Sequence, residues 1–391
     1  MKKIICRFII LFMLLMLLDP QNVKAESNNK IQELYAISAA LIDGDSGRVL
    51  YEKNGYDVRA MASTTKIMTL ILALEYGNLE EYATVSSYAA KMPDVQLGLC
   101  EGEQYKLYDL LFSLILESHN DTAVVIAEHI SGSVEKFAKL MNDKARELGL
   151  DNTYFITPNG LDAADDYSKH STTATDLALI MKYCIKDSPA KDKFISICQT
   201  RNYSFADYTG KRSFTVNNKN SFLDMMDGVV AGKTGFTADA GYCYVCAVEN
   251  DGKTYIIALL GCGWPNNKSY KWQDSKKLFE YAINNYEYKN IINSEYILND
   301  VAVIDGIESQ KTSAYIDDKL DLLVCDSDKI DIKINMPETV KAPINKGDII
   351  GNANIYINDE LMATLNIYCK NSIQQTNYRY FLDLILEHFL F

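Results

Sequence analysis

A block of helix-forming sequence interrupts a run of strand-forming sequence, and this order limits the folds open to the chain. Two apolar segments flank the turn-forming run Asp43-Gly44-Asp45-Ser46-Gly47, which predicts a β-hairpin. Helical spacing of apolar residues predicts helices over residues 67–76, 107–116, 121–130 and 134–148. After residue 182 the pattern predicts neighbouring strands at 212–216, 241–249 and 253–261, then a helix over 275–285. The order favours a sheet built from both ends of the segment, with the helical block inserted between them.

The pattern changes from about Asn290, where short alternating segments are separated by Asp, Asn, Gly and Pro. Segments such as 329–335 and 352–358 predict a separate small β domain over 288–377. Residues 378–391 are mostly apolar, and Asp383 and Glu387 are spaced to share one narrow face of an amphipathic helix. Such a helix lies in a membrane interface or packs on the β domain, and its acidic face gains nothing from anionic lipids.

The first residues have the pattern of an export signal. Lys2, Lys3 and Arg7 precede an apolar run over 8–18, and Val23-Lys24-Ala25 offers small residues for a signal peptidase. We predict a signal peptide over 1–25, with an uncleaved anchor as the alternative. The 391-residue chain has a net charge of −13, and loss of this segment removes four positive charges and one negative, leaving −16. Such an acidic chain has no basic surface for a nucleic-acid backbone.

Three short motifs carry possible chemistry. Ser63-Thr64-Thr65-Lys66 opens the first predicted helix, where a spacing of three puts the serine hydroxyl and the lysine amine on one face. A serine becomes nucleophilic when a base removes its proton, and lysine can be that base when burial or a second cation lowers its pKa. Ser118-His119-Asn120 follows in a break between helices, where Ser and Asn are also common caps. Lys233-Thr234-Gly235 lies on a strand edge, where a glycine permits close approach of another backbone.

The order of these motifs is the signature of penicillin-binding proteins and class A β-lactamases. The mature chain resembles low-molecular-mass penicillin-binding proteins of the serine-type D-Ala-D-Ala carboxypeptidase family over essentially its whole length. Matching sequence extends to residues 62–69, Asn120-Asp121, 157–162, 232–237 and Ala240-Gly241-Tyr242. The resemblance implies an α/β (α+β) fold: a β-lactamase/transpeptidase-like catalytic domain over 26–287 (antiparallel sheet with inserted helical block), then the small all-β domain and the C-terminal amphipathic helix.

The resemblance also implies a reaction and its site. Ser63 is expected to attack the carbonyl between the two terminal D-alanines of a peptidoglycan stem peptide, with Lys66 as general base. Ser118 is expected to relay a proton to the leaving amine, and Asn120 to bind the substrate amide and hold Lys66. β-Lactams are expected as covalent inhibitors. The expected location is the extracytoplasmic face of the bacterial cell membrane, or the cell wall.

The strand motif supplies the expected substrate-binding residues. Lys233 is expected to keep local positive potential and, with Thr234, to bind the substrate carboxylate. The backbone amides of Ser63 and Phe236 are expected to form the oxyanion hole, and Gly235 and Thr237 belong to the same substrate-binding strand. Many relatives carry an arginine upstream of this strand, and Lys219 matches that position. An exposed surface lysine is the alternative for Lys219.

One residue of the second motif departs from the family pattern, because its middle position is often glycine and here is His119. Its side chain is expected to crowd the cleft or to point to solvent. The spacing of the four histidines and of Cys243 and Cys246 suggests no metal site, and no metal or cofactor is predicted. The Gly44-Asp45-Ser46-Gly47 run resembles a protease nucleophile segment, but a hairpin turn explains it better.

Other functions of the same fold stay open at this point. A class A β-lactamase needs a glutamate that activates the deacylating water, and residues 152–162 offer no Glu-x-x-x-Asn pattern. A DD-endopeptidase cuts next to a D-alanine as well, so the sequence does not separate it from a carboxypeptidase. A non-catalytic peptidoglycan-binding module is disfavoured because all three motifs are retained.

Overall fold

The computed structural model describes residues 31, 33–93, 95–307 and 311–389. The predicted signal peptide, residues 1–25, lies outside this part of the chain. The described chain divides into two compact units. The first contains the described residues up to Leu41 together with Tyr51–Glu249 and Ile256–Tyr281. The second contains Ile42–Leu50, Asn250–Tyr255 and the described residues from Ala282 onward.

The secondary structure before residue 286 alternates between strands and helices as the sequence predicts. The strands are β1 (Ser38–Asp43), β2 (Val49–Lys53), β3 (Tyr82–Thr84), β4 (Gln104–Lys106), β5 (Asn202–Ala206), β6 (Ser213–Asn217), β7 (Val229–Thr237), β8 (Gly241–Asn250) and β9 (Lys253–Leu260). The helices are α1 (Lys66–Tyr76), α2 (Leu107–Phe112), α3 (Asn120–Ser131), α4 (Val134–Glu147), α5 (Ala174–Lys182), α6 (Lys191–Gln199) and α7 (Tyr270–Asn285). A 3₁₀ turn, Ala62–Thr65, leads into α1, and a π-helical turn, Ser113–Glu117, follows α2.

A five-stranded sheet runs in the order β2-β1-β9-β8-β7. Its central strands are apolar without alternation, because both faces are covered: all six residues of β1 are buried, and so are seven of the eight in β9. The sheet therefore contains strands from before and after the inserted helices, which confirms the predicted arrangement. The edge strand β7 carries the Lys-Thr-Gly motif, also as predicted.

The helical block surrounds α1, whose first eight residues are all buried. A helix buried on every side lies inside the protein, so the first turn of α1, which carries Lys66, is shielded from water. The predicted ends are confirmed at two glycines: α1 stops before Gly77, and α3 stops before Gly132, which adopts a left-handed conformation. The predicted hairpin and its turn at residues 43–47 are also confirmed.

Two predictions for the region after residue 182 are wrong. Helix α6 comes before any strand, with Phe194, Ile197 and Cys198 buried at helical spacing. Strand β6 does not join the main sheet; it pairs with β5 in a separate two-stranded sheet. The cause is local, since β5 and β6 are joined by a tight turn that ends at Gly210, so each strand is the nearest partner of the other.

The second unit is mainly β structure, as the sequence predicts. Its strands are β10 (Glu287–Ile292), β11 (Tyr296–Ile304), β12 (Lys311–Ile316), β13 (Leu320–Val324), β14 (Ile330–Asn335), β15 (Thr339–Lys341), β16 (Ile349–Ile357) and β17 (Glu360–Cys369). Six of these strands form one sheet in the order β14-β16-β17-β12-β11-β15. Its core takes alternate residues from β16, namely Ala353, Ile355 and Ile357.

The last described element is α8 (Tyr378–Phe389), so the predicted C-terminal helix is confirmed as a helix. No side chain in it is buried, and its large apolar side chains are between 42% and 83% exposed. Among the helices of the described residues, none has the length and apolar character that crossing a membrane requires.

Candidate active site

Ser63 lies in the 3₁₀ turn that precedes α1, at a point where three backbone segments meet. A Cβ atom added to Gly235 on β7 would lie 2.9 Å from the Ser63 nitrogen. A Cβ atom on Gly160 would lie 2.0 Å from the Ala62 oxygen, and Gly160 also has a φ of +85°. Only glycine permits these approaches. The two glycines therefore bring the strand motif and the 157–162 segment against the serine.

Lys66 is the first residue of α1 and is fully buried. Its Nζ lies 2.9 Å from Ser63 Oγ, 2.9 Å from Asn120 Oδ1 and 2.6 Å from the Asn159 carbonyl oxygen. A neutral lysine has two N–H donors and one lone pair. The Asn120 and Asn159 oxygens can take the two donors, which leaves the lone pair for the hydroxyl hydrogen of Ser63. This is the geometry that a general base needs.

The electrostatics favour the neutral form of Lys66. Burial is the main cause that holds the pKa of its ammonium well below the ordinary value, and the positive charge of Lys233 lowers this pKa further. The buried carboxylate of Asp121 acts in the opposite direction. That carboxylate is itself held by the backbone amides of Leu97, Gly98 and Leu99.

Ser118 follows the π-helical turn and has a left-handed backbone conformation, with a φ of +71° and a ψ of +31°. Such a conformation is uncommon for a residue other than glycine. It directs the hydroxyl towards β7, where Lys233 Nζ donates to Ser118 Oγ at 2.9 Å. Lys233 is 3% exposed and also donates to the Thr234 carbonyl oxygen at 2.7 Å. Burial lowers the pKa of Lys233 to about 7.

Asn120 is the first residue of α3, and its side-chain amide is oriented from both ends. Its Oδ1 accepts from Lys66, while its Nδ2 donates to the Pro93 carbonyl oxygen at 3.1 Å. Its backbone N–H donates to the Val95 carbonyl oxygen. The structure therefore brings together the predicted Ser63, Lys66, Ser118, Asn120 and Lys233.

A cavity of about 630 Å³ is lined by Ser63, Ser118 and Lys233 from this group. Thr234, Gly235 and Phe236 line it from β7, and Lys219 lines it from the segment between β6 and β7. Thr237 is oriented differently, since its hydroxyl donates to Asp162 Oδ1 at 2.9 Å. That bond joins the end of β7 to the segment whose Asn159 carbonyl holds Lys66. Strand β7 therefore lines the cavity with Thr234, Gly235 and Phe236, and through Thr237 it fixes the 157–162 segment.

The sequence left alternatives for the positions of the Lys219 and His119 side chains. The Lys219 side chain is 64% exposed, and its Nζ lies 3.1 Å from Glu117 Oε1 at the rim of the cavity. The expectation that His119 crowds the cleft or points to solvent is wrong. His119 is 4% exposed, and its ring is held under the cleft by Ser113 and Glu117.

Two contributors to the site were not predicted. The first is the Asn159 carbonyl, a backbone group that no residue type marks in a sequence. The second is Lys271 at the start of α7, which is 2% exposed, lines the cavity and lies over the rings of Tyr242 and Trp272. Burial lowers the pKa of Lys271 to about 8. A single lysine in an amphipathic helix gives no signal that it faces a cleft.

His170 contacts the 3₁₀ turn that contains Ser63. Its Nε2 lies 2.8 Å from Thr65 Oγ1, and its Nδ1 accepts from the backbone N–H of Ile156 at 2.9 Å. The ring must therefore carry its hydrogen on Nε2, because Nδ1 is occupied as an acceptor. Burial lowers the pKa of His170 to about 4, so this neutral form persists well below pH 7.

Cys243 and Cys246, whose spacing was considered above for a metal site, lie on β8 and are buried. Cys243 and Cys246 are three residues apart on a strand, so their side chains leave opposite faces of the sheet and do not converge. Within the part of the chain that the structure describes, no group of three or more Cys, His, Asp or Glu residues has the arrangement of a metal site.

Two family models match the chain. The model described as D-alanyl-D-alanine carboxypeptidase matches residues 22–263, and that of the penicillin-binding protein 5 C-terminal domain matches residues 286–375. The chain is 30% identical to D-alanyl-D-alanine carboxypeptidase DacF of Bacillus subtilis, over 98% of this chain and 97% of the relative. It is 29% identical to D-alanyl-D-alanine carboxypeptidase DacA of Escherichia coli strain K12, over 89% and 86%. Penicillin-binding protein 5 of Haemophilus influenzae is a structural neighbour, with a TM-score of 0.70, 25% identity and coverage of 88% and 99%.

Proposed function

The chain belongs to the D-alanyl-D-alanine carboxypeptidase family, and from that premise we propose that it releases the terminal D-alanine of peptidoglycan stem pentapeptides through an acyl-enzyme on Ser63. The observation that carries the proposal is the contact of Ser63 Oγ with a fully buried Lys66 Nζ at 2.9 Å. A lysine with a lowered pKa, in contact with a serine hydroxyl, is an activated nucleophile pair.

In the acylation step, Ser63 Oγ attacks the carbonyl carbon between the two D-alanines, and Lys66 takes the hydroxyl proton. The tetrahedral oxyanion is stabilised by the backbone amides of Ser63 and Phe236. The close approach of Gly235 to the Ser63 nitrogen supports this pairing, since Phe236 is the next residue. The carbon–nitrogen bond then breaks, and Ser118 passes a proton to the departing amine of D-alanine. An ester on Ser63 remains.

In the deacylation step, water adds to the ester carbonyl, the bond to Ser63 Oγ breaks and the hydroxyl regains its proton. The products are the peptide shortened by one D-alanine and the free enzyme. Asn120 binds the substrate amide and fixes Lys66, and Lys233 and Thr234 bind the terminal carboxylate. Burial of Lys233 beside the cavity supports the last role, because a charge–carboxylate contact is stronger away from water.

Penicillin acts on this site as a substrate that is released slowly. Ring opening of a β-lactam by Ser63 forms the same kind of ester. In the 157–162 segment, the Asn159 carbonyl oxygen contacts both Ser63 and Lys66. A carbonyl oxygen cannot act as a base for the deacylating water. This observation favours a penicillin-inhibited peptidase over a β-lactamase.

We further propose that the protein is exported and that α8 holds it at the extracytoplasmic face of the cell membrane. Peptidoglycan lies outside the cytoplasmic membrane, which is consistent with a signal peptide over 1–25. The exposed rings of Phe381 and Phe389 and the exposed Ile385 support interfacial binding, because such apolar surface is costly in water. We place the domain boundary at 287/288, close to the start of β10, and the membrane-associating helix at 378–391.

The test is D-alanine release from a soluble peptide that ends in D-Ala-D-Ala, with a peptide that ends in D-Ala-L-Ala as control. We expect release from the first peptide alone. Ser63→Ala should abolish it, whereas Ser46→Ala, in the turn that resembles a protease nucleophile segment, should leave it unchanged. Release that survives Ser63→Ala, or that is absent from the wild-type protein, would contradict the proposal.

A further inference from the structure

The side chains on either side of Ser118 contact each other. His119 Nε2 lies 3.4 Å from Glu117 Oε2, and the His119 side chain is only 5% exposed. Ser118 lies between these two residues and has the left-handed backbone conformation. The contact therefore links the residues on either side of the serine.

The opposite edge of the imidazole is anchored as well. His119 Nδ1 lies 2.8 Å from Ser113 Oγ, which in turn lies 2.9 Å from Thr122 Oγ1. Ser113 begins the π-helical turn and Glu117 ends it. With Ser113 donating to Nδ1, the hydrogen of the neutral ring lies on Nε2, the nitrogen that is 3.4 Å from Glu117 Oε2. The ring therefore joins the two ends of the turn that presents Ser118.

Glu117 is not free to follow the ring, because residues at the end of β6 and just after it hold its carboxylate. Its Oε1 accepts from the backbone N–H of Asn217 at 3.1 Å and contacts Lys219 Nζ at 3.1 Å. The Lys219 backbone N–H donates to the Leu116 carbonyl oxygen at 2.9 Å. The carboxylate is thus a fixed point against which the imidazole holds the chain.

We propose that the contact between Glu117 and His119 is a clasp that fixes the Ser118 hydroxyl at Lys233, and that His119 is a positioning residue for the proton transfer. This inference rests on the proposed function, in which Ser118 passes the proton to the leaving amine. A left-handed serine is held only where its surroundings impose that conformation. Loss of the clasp lets Ser118 relax and move its hydroxyl away from the proton path.

Two substitutions separate the clasp from the other contact of the ring. His119→Gln can place an N–H donor near the Nε2 position and keep the contact with Glu117. His119→Asn can keep the contact with Ser113 but is too short to reach Glu117. We expect His119→Asn to lower kcat about tenfold with KM within twofold of wild type, and His119→Gln to stay within about threefold in both.

The same contact can be broken from its other side. Glu117→Ala should lower kcat to a similar extent, and adding it to His119→Asn should cause little further loss, because both changes remove one interaction. This second variant keeps the test available if one protein does not fold, which thermal unfolding will show. His129→Asn and His129→Gln are matched controls, since His129 lies at the other end of α3 and contacts Glu81 at 3.2 Å.

The outcomes are distinct from those of the proposed function, which the wild-type protein tests by itself through release of D-alanine. In an active wild-type background, rescue by glutamine and not by asparagine supports the clasp. Rescue by asparagine alone, equal loss in both variants, a loss in KM rather than kcat, or full additivity with Glu117→Ala would overturn it. The same loss in the His129 variants would also overturn it.

Discussion

The catalytic cleft and helix α8 depart in opposite ways from the usual rule that proteins bury apolar side chains and expose charged ones. The cleft buries lysine side chains, with Lys66 at 0% and Lys233 at 3% exposure. Helix α8 leaves aromatic side chains in water, with Tyr378 at 82% and Phe389 at 83% exposure. Folding alone favours neither arrangement, since buried charge and exposed apolar surface both cost free energy.

The difference between the two regions indicates where each cost is offset. In the cleft, the offset is within the domain: Lys66 has three hydrogen-bond partners, and its lowered pKa is what its proposed role as base requires. In α8, the structure shows no buried side chain, so we propose that a lipid surface provides the offset. The cleft should therefore respond to changes in charge, and the helix to changes in apolar surface.

The largest expected effect comes from removing the buried base. Lys66→Ala should lower the rate of acylation by penicillin by about a thousandfold, because Ser63 loses its proton acceptor. The measurement is the acylation rate with a fluorescent penicillin. Lys139→Ala on α4, which removes an exposed lysine paired with Asp143, is the control and should leave the rate unchanged. Rapid acylation of Lys66→Ala would show that another group activates Ser63.

The second effect tests the interaction between the two buried lysines. Lys233→Gln should lower kcat/KM roughly a hundredfold through loss of the carboxylate contact. It should also move the acidic limb of the pH profile to higher pH. Acylation needs neutral Lys66, and the charge of Lys233 lowers the pKa of Lys66, so its removal raises that pKa. A pH profile whose acidic limb stays in place, or moves to lower pH, would contradict this coupling.

Membrane binding by helix α8 should depend on its apolar side chains and not on its charged ones. Replacing Phe381 and Ile385 by serine should reduce co-sedimentation with zwitterionic lipid vesicles at least tenfold, since each buried apolar side chain contributes about 1.5–3 kcal/mol. D-Alanine release from a soluble peptide should not change. Asp383→Asn is the matched control on the polar face. Equal sedimentation of the double variant and the wild type would contradict the proposal that α8 binds the membrane.

A smaller effect concerns the buried imidazole behind the catalytic turn. Below its ordinary pKa of 6.5, His170 takes up a proton in the unfolded chain, whereas in the folded chain it stays neutral to about pH 4. Stability should therefore fall as the pH drops through this range, by about 2 kcal/mol between pH 7 and pH 4.5. His170→Asn keeps an acceptor for the Ile156 N–H, and its free energy of unfolding in urea should lack this part of the decrease. An equal decrease in the variant and the wild type would contradict the role given to His170.

The smallest effect is expected at the rim of the cleft. Lys219 is largely exposed and already paired with Glu117, so its contribution to carboxylate binding is screened by water. Lys219→Ala should raise KM about two- to threefold and leave kcat unchanged. Lys219→Arg should lower KM slightly, because a guanidinium can bind a carboxylate through two hydrogen bonds. A tenfold change in KM would assign this lysine a larger role in substrate binding.

The sequence predicted the parts of the fold that periodicity and turn residues define. Helix α1 has apolar residues at helical spacing and stops at Gly77, and the hairpin β1–β2 has a turn of small and polar residues, so both were predictable. Strand β5 was missed because its sequence, Asn-Tyr-Ser-Phe-Ala, is only partly buried. Its pairing with β6 depends on the turn between them rather than on the main sheet.

The candidate site divides in the same way. Ser63, Lys66, Ser118, Asn120 and Lys233 lie in recognisable motifs, so spacing and order were sufficient to predict that these side chains meet in one site. The Asn159 carbonyl and Lys271 were missed, because a backbone oxygen has no side-chain signature and one lysine at a helix start has no pattern. The setting of His119 was misjudged because its partners, Ser113 and Glu117, meet it only once the π-helical turn has formed.

The central claim is that Ser63 is acylated with Lys66 as its base, and mass spectrometry of the protein after incubation with penicillin tests it most directly. The account predicts one added penicillin per chain on the peptide that contains Ser63, a greatly slowed adduct in Lys66→Ala and none in Ser63→Ala. An adduct on another residue, or an undiminished adduct in Ser63→Ala, would contradict it.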